Sequence, residues 1–100
     1  MIAVSQTEMA EIIKIIKDIT PDFDVLVFGS RYKNTNKDSS DLDLAFIATE
    51  NEKLCPDKRC LLIDAFSESD LPYRVDVVDY YSISNEFKAI IDKGNFKIYK

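Results

Sequence analysis

The spacing of apolar residues along this 100-residue chain predicts where helices and strands lie. From Met9 to Ile19 the apolar positions recur every three or four residues with charged residues between them, which indicates a helix with one buried face. Ser5 followed by Glu8 forms a capping box, so we expect the helix to begin at Ser5. Pro21 prevents its continuation. The chain therefore opens with an amphipathic helix.

Shorter apolar and β-branched segments follow and indicate strands, separated by polar segments that carry helix start and stop signals. The predicted elements are strands over 24–28, 41–49 and 73–80, a helix opened by Pro56, a helix from Ser84 to Lys93, and an edge strand over 96–99. Gly94 is expected to end the last helix in a left-handed conformation. The predicted fold class is α/β (α+β), a small mixed sheet with helices packed on it, in the order α-β-(turn or short α)-β-α-β-α-β. Neither a linker nor a repeat divides the chain, so we expect a single domain over 1–100.

Composition narrows the chemistry that such a domain can perform. The chain has no histidine, which excludes Ser-His-Asp or Cys-His catalysis and imidazole-ligated zinc. Its two glycines, Gly29 and Gly94, cannot supply a dinucleotide-binding or P-loop motif, because the first needs three glycines and the second needs two that are five positions apart. The general base must then be a carboxylate, lysine, tyrosine or thiolate.

Charge and hydropathy bear on partners and location. With 18 acidic and 13 basic side chains the formal net charge is −5, so we expect no binding of duplex DNA. No apolar segment approaches the ~20 residues of a membrane span, and the N-terminus lacks the order of a signal peptide. Cys55 and Cys60 fit no metal or redox spacing and are expected to be partly buried. We expect a cytoplasmic protein without membrane association.

Three aspartates are the candidate metal ligands. Asp41 and Asp43 are separated by one residue on a predicted strand, so their side chains lie on one face with Cα atoms roughly 6.6 Å apart. Asp76 lies among β-branched residues of the third strand, where an acid is costly unless it is paired. Carboxylates so placed suit Mg²⁺, although the pair alone also fits a solvated strand end. Asp79, an odd number of residues further on, is predicted to face the opposite side as a solvated or capping acid.

A candidate phosphate site precedes the paired acids. Gly29 permits a sharp turn after the first strand, and Ser30 can open a short helix whose free N–H groups face an anion. The following loop carries a cationic patch formed by Arg31, Lys33 and Lys37. For this site to meet the acids, the first two strands must be antiparallel with these ends adjacent. Gly29, Ser30, Arg31 and Lys33 are therefore the predicted nucleotide-binding and phosphate-binding residues.

Three segments together resemble a known family. Phe28–Arg31, Ser40–Ala45 and Phe66–Asp76 are similar to the minimal nucleotidyltransferases (MNT) that are paired with HEPN proteins, within the DNA polymerase β-type nucleotidyltransferase superfamily. The resemblance covers essentially the whole chain and implies that superfamily's mixed-sheet fold. The chain departs from the family's sequence pattern at Asn34, where many members have glycine. Asparagine tolerates a left-handed backbone better than most residues, so the turn can be kept.

The resemblance also implies roles for the candidate residues. Gly29 and Ser30 would hold the β- and γ-phosphates of ATP or another nucleoside triphosphate. Asp41 and Asp43 would bind two Mg²⁺ ions. Asp76 would bind the ion that activates the attacking hydroxyl and could accept its proton.

The implied function is that of an antitoxin. It would transfer AMP from ATP to a hydroxyl, by preference a tyrosine, of a small helical HEPN ribonuclease toxin and so neutralise it. Two alternatives remain open: a non-catalytic module that blocks the HEPN partner sterically, and a nucleotidyltransferase acting on a small molecule. The chain has no room for an acceptor domain, so we expect the acceptor site to come from another chain, in a homodimer or hetero-oligomer. The expected contact residues are the C-terminal aromatics Tyr73, Tyr80, Tyr81, Phe96 and Tyr99.

Overall fold

The computed structural model, which describes residues 2–49 and 53–100, is a mixed four-stranded sheet with helices packed on it. The helices are α1 Gln6–Ile19, α2 Ser30–Lys33, α3 Pro56–Ser67 and α4 Asn85–Lys93, with one 3₁₀ turn at Tyr80–Ser82. The strands are β1 Phe23–Phe28, β2 Leu42–Ala48, β3 Val75–Asp79 and β4 Phe96–Tyr99. The predicted order of elements is confirmed.

The first helix begins as its sequence predicts. The Ser5 hydroxyl accepts a hydrogen bond from the Glu8 amide, and the Glu8 carboxylate accepts one from the Ser5 amide, both at 3.1 Å. Ile12 and Ile16 are fully buried on the inner face. The capping box thus fixes the start of α1, and the burial of its apolar stripe holds the helix against the sheet.

The strand order is β3-β2-β1-β4, which places β2 between its neighbours in space. β1 pairs antiparallel with β2 and with β4, whereas β2 and β3 are parallel and joined through α3. Phe28 is the register partner of Asp43, and Asp43 is that of Asp76. The predicted antiparallel pairing of the first two strands is therefore confirmed, and it brings three strand ends to one place.

Successive side chains of the central strands point to opposite faces of the sheet, and both faces are apolar. Leu42, Leu44 and Phe46 of β2 are fully buried in a cluster that also takes residues from α1 and α3. Ala45 lies on the opposite face, in a smaller cluster with Ile91 of α4. Helices thus cover both faces of the sheet, and residues of β2 at odd positions share the α4 face.

Several local predictions need correction. β3 begins at Val75 rather than at residue 73, because the segment before it turns instead of pairing. Cys55 and Cys60 are exposed, not partly buried. Gly94 has φ −158°, which is extended backbone and not left-handed. A Cβ at Gly94 would lie 2.8 Å from Cε2 of Tyr32, so close packing against that ring accounts for the glycine.

The C-terminal aromatics do not form one exposed surface. Phe96 is half exposed, but the four tyrosines of the predicted contact set are partly buried. The hydroxyls of Tyr73, Tyr80 and Tyr99 donate to Glu8, Asp92 and the Pro21 carbonyl. The tyrosines therefore serve packing and internal hydrogen bonds. None of the helices in the described part of the chain is long and apolar enough to cross a membrane.

Candidate active site

The three predicted aspartates come together at one end of the sheet. Asp43 and Asp76 are register partners on parallel neighbouring strands, so their side chains lie on the same face. Asp41 immediately precedes β2, two residues from Asp43, and is exposed. The Leu42 amide donates a hydrogen bond of 2.8 Å to the Arg74 carbonyl, which ties this end of β2 to the start of β3. The strand pairing thus builds a carboxylate cluster from residues 35 positions apart.

The three carboxylates influence one another electrostatically. Burial first, and then the charges of Asp76 and Asp41, raise the pKa of Asp43 from its ordinary 3.8 to about 6. Asp43 is half-buried, whereas the other two carboxylates are open to solvent. Repulsion among the three is the cost of holding them together without a cation.

This donor set fits a magnesium ion. It consists of carboxylate oxygens alone, the hard ligands that Mg²⁺ takes together with substrate phosphates. Within 2–49 and 53–100 no group of three acidic or thiol side chains is arranged to hold a metal ion by itself. An ion at these carboxylates would therefore be held jointly by the protein and by substrate phosphates.

Gly29 lies directly against the acidic cluster. Its φ of +78° belongs to the region that favours glycine. A Cβ added there would overlap Asp43 Oδ2 and lie 3.2 Å from its Cγ. The carboxylate of Asp43 therefore packs on the backbone of the turn after β1, and this position admits no side chain.

The segment after Gly29 forms the predicted short helix. α2 spans Ser30–Lys33 and is followed by the capping residue Asn34, whose φ of 59° and ψ of 32° are left-handed. The expectation that asparagine can serve at this position is met, and the Thr35 amide closes the turn by donating to the Ser30 carbonyl. Lys33 is exposed and Ser30 is partly buried next to the glycine. Both side chains are thus at least partly open to solvent.

Arg31 differs from the prediction that it faces phosphate. It is 95% buried, and its guanidinium donates hydrogen bonds to the carbonyls of Ala3, Lys37, Asp38 and Ser40. These bonds span the loop between α2 and β2 and reach the N-terminal segment. In this structure Arg31 anchors the loop that precedes Asp41.

The ring of Tyr73 stacks on the guanidinium of Arg31. The carbon Cζ of Arg31 lies 3.8 Å from the ring centroid of Tyr73, a cation–π contact. The Tyr73 hydroxyl donates to Glu8 Oε1 at 2.9 Å, and its pKa is raised by burial and by this hydrogen bond. Sequence reasoning missed the Arg31–Tyr73–Glu8 network, because the members are up to 65 positions apart and no local pattern links them.

Asp79 lies on the face of β3 opposite to Asp76, as the odd spacing predicts, and of the two predicted roles it has the capping one and not the solvated one. It is buried and accepts hydrogen bonds from the amides of Leu54 and Tyr81 and from the Ser82 hydroxyl. It caps the 3₁₀ turn and holds the segment before α3. Its role is structural, which separates it from the cluster on the other face.

Comparison with known proteins shows the family. The family "Polymerase beta, Nucleotidyltransferase" matches residues 10–100. The chain belongs to this family. As a member, it is a nucleotidyltransferase, and the resemblance predicted from its three motifs is confirmed.

Individual relatives of this nucleotidyltransferase are similar over most of its length. It is 43% identical over 90 residues to "Probable protein adenylyltransferase MntA" of Haemophilus influenzae, covering 90% of this chain and 77% of that protein. A crystal structure of a toxin–antitoxin with AMP-PNP superposes with a TM-score of 0.76 at 27% identity, covering 91% of this chain and 72% of that chain.

A second structural relative is the complex of the tri-AMPylated Shewanella oneidensis HEPN toxin with its MNT antitoxin. The TM-score is 0.70 at 25% identity, covering 94% of this chain and 71% of that one. The predicted fold is therefore confirmed in solved structures that resemble the chain over nearly all its residues.

Asp43→Asn is expected to stabilise the metal-free nucleotidyltransferase by about 1 kcal/mol at neutral pH, because it removes a charge that burial and two neighbouring carboxylates disfavour. The raised pKa determines the sign of this effect on the free energy of unfolding. Below the unfolded pKa of 3.8 the Asp43 carboxyl is neutral and does not destabilise the wild type, and stability is lost as pH rises through about 6. Chemical denaturation in EDTA at about pH 7 and about pH 4 measures the difference, which should vanish at the lower value.

The matched control for this prediction is Asp64→Asn, an exposed acid of α3. It should change the free energy of unfolding by less than about 0.5 kcal/mol at either pH. If Asp43→Asn is no more stable than the wild type at neutral pH, the repulsion inferred for the cluster is wrong.

Proposed function

We propose that this nucleotidyltransferase transfers AMP from ATP to a tyrosine hydroxyl of a HEPN toxin and thereby neutralises it, using Mg²⁺. The observation that carries the proposal is that Asp41, Asp43 and Asp76 lie at one end of the sheet, with the carboxylate of Asp43 packed against the backbone of Gly29. A turn free of side chains beside three carboxylates suits a metal-bound triphosphate. The similar proteins named above, an adenylyltransferase and an AMPylated toxin complex, support the choice of AMP and of a toxin acceptor.

Mg²⁺ would be held by Asp41, Asp43 and Asp76. When bound, it neutralises charge on the triphosphate and lowers the pKa of an attacking hydroxyl. The same charge would relieve the repulsion that raises the pKa of Asp43. Binding of metal and nucleotide should therefore be coupled, because each supplies the charge that the other needs.

The triphosphate would lie on the turn after β1. The backbone of Gly29 allows close approach, and Ser30 and Lys33 supply a hydroxyl and a cation nearby. Arg31 is left out of this set, since its guanidinium donors are committed to loop carbonyls. Its contribution is to hold the loop between the phosphate turn and Asp41 in place.

The reaction is an in-line displacement at the α-phosphorus. The acceptor oxygen forms a bond to that phosphorus, and the bond to the bridging oxygen breaks, releasing pyrophosphate. The carboxylate of Asp76 accepts the proton of the acceptor hydroxyl. The products are the adenylylated acceptor, pyrophosphate and a proton that passes on to solvent.

Mass spectrometry of the toxin tests the proposal. With the purified chain, ATP and Mg²⁺, the HEPN toxin should gain the mass of at least one adenylate on a tyrosine and lose ribonuclease activity. The double variant Asp41→Asn/Asp43→Asn should abolish both effects, while Asp18→Asn/Asp64→Asn, which removes two charges elsewhere, should preserve them. If the carboxylate variant still neutralises the toxin without adding mass, steric blocking is the function and transfer is not.

A further inference from the structure

A cavity adjoins the acidic cluster that the proposed nucleotide site does not use. It has a volume of about 740 Å³ and lies between α3 and β3. Asp41 and Asp76 form part of its lining, but Gly29, Ser30 and Asp43 do not. The cavity therefore opens from the metal-binding acids in a direction away from the phosphate turn.

Sheet order fixes which side of the acids each feature occupies. The phosphate turn follows β1, and the cavity borders β3, and these two strands lie on opposite sides of β2. In an in-line displacement, the leaving pyrophosphate and the attacking oxygen lie on opposite sides of the phosphorus. With pyrophosphate held beside Gly29, the attacking hydroxyl must arrive from the side of β3, where Asp76 can take its proton.

The residues that line the cavity indicate which kind of chemical group it would bind. Apolar side chains form much of the surface: Ile63, Phe66, Leu71, Pro72, Val75 and Val77. Two exposed arginines, Arg59 and Arg74, add positive charge. Apolar walls beside a carboxylate suit an aromatic ring that presents a hydroxyl.

Neither arginine is committed to an ion pair among the described residues. The ion pairs there join Lys97 to Asp24 and Lys100 to Asp22. Arg59 donates one hydrogen bond, of 3.4 Å, to the Val77 carbonyl at the open edge of β3. The two acids in the cavity, Asp41 and Asp76, are the proposed metal ligands. Arg59 and Arg74 are therefore the charged side chains of the cavity that could contact an acceptor.

We infer that this cavity is the acceptor site and that Arg59 and Arg74 recognise an acidic segment beside the acceptor tyrosine of the protein substrate. The inference rests on the proposed function and specifies where its acceptor binds. Two exposed arginines at this cavity attract an acidic segment to it, although the chain as a whole has a net charge of −5. Arg59 and Arg74 thus act as specificity-determining residues, and the acids perform the chemistry.

The test combines binding and kinetics with the HEPN toxin as the probe. The variants are Arg59→Ala/Arg74→Ala and the charge-preserving Arg74→Lys, with Lys14→Ala on the exposed side of α1 as the matched control. Calorimetry without nucleotide gives the Kd for the toxin. Initial rates give the KM for ATP and for the toxin.

The double variant should raise the Kd and the KM for the toxin about tenfold and change the KM for ATP less than about twofold. Arg74→Lys should retain most of the affinity, Lys14→Ala all of it, and higher ionic strength should weaken the wild type more than the double variant. An unchanged Kd, or a KM that rises for ATP instead, overturns the inference; the latter result would assign the cavity to the nucleoside. If the wild type binds the toxin without adenylylating it, the proposed function fails, and the binding arm still decides the inference.

Discussion

Asp76→Asn is expected to reduce adenylate transfer by about 10³-fold or more while leaving the free energy of unfolding within about 0.5 kcal/mol of the wild type. Asp76 is exposed at the acidic cluster, and its replacement by the isosteric amide removes the carboxylate proposed as metal ligand and proton acceptor. Little packing is lost, and repulsion with Asp43 is relieved. Transfer is measured by the mass gained by the toxin, and stability by urea denaturation.

Asp79→Asn is the matched control on the same strand, because it makes the same change on the opposite face. There the carboxylate accepts from the amides of Leu54 and Tyr81, at 3.0 and 3.2 Å, and from Ser82. Introducing an amide donor among these donors should cost about 2 kcal/mol of stability. The folded fraction should still transfer AMP at a rate within about threefold of the wild type. If Asp76→Asn keeps its activity, or if Asp79→Asn loses its own while folded, the assignment of the two faces is wrong.

The second large effect concerns stability. Arg31→Met is expected to destabilise the chain by about 3 kcal/mol, because it leaves partly buried carbonyls without donors and removes the buried cation from the Tyr73 ring. That is a large part of the total stability of a domain of this size. Arg31→Lys should recover only part of the loss, since one ammonium cannot reproduce the separated hydrogen bonds of a guanidinium.

Lys33→Met, in the same short helix, separates structural from ligand-binding roles. Lys33 is exposed, so its loss should change the free energy of unfolding by less than about 0.5 kcal/mol. It should raise the KM for ATP about tenfold, because a cation near the phosphates is removed. Urea denaturation and initial rates measure the two quantities. If Arg31→Met is as stable as the wild type and binds ATP weakly, Arg31 contacts phosphate and the role drawn from its hydrogen bonds is wrong.

Local patterns predicted the elements well where one face is buried. The capping box of α1 and the apolar stripe that includes Ile12 and Ile16 are local signals, and the structure follows them. Prediction failed where a distant neighbour decides. Gly94 is required by the ring of Tyr32 and not by a left-handed turn, and β3 starts late because pairing with β2 begins at Val75.

In the candidate site, too, local spacing predicted some features and only the folded structure decided others. The spacing of Asp41 and Asp43 on one strand predicted a shared face, because alternation is a property of the extended backbone. The spacing of Asp76 and Asp79 likewise predicted opposite faces. It could not predict that Asp79 is buried, since its three donors come from two other segments. The burial of Arg31 escaped prediction for the same reason: its carbonyl partners lie in the loop before β2 and in the N-terminal segment, which only the folded chain brings together.

By itself the sequence determined the helices and strands, the family, and the residue types available for chemistry, because these depend on local spacing and composition. Without histidine, the general base is limited to a carboxylate, lysine, tyrosine or thiolate, and the two glycines exclude a dinucleotide-binding or P-loop motif. Tertiary structure decided which of the aspartates converge, which arginine is buried and which arginines are exposed. The physical reason is that the effect of a charged or hydrogen-bonding side chain depends on how deeply it is buried and on which groups lie next to it. Both depend on strand register, which is set by the packing of the whole core.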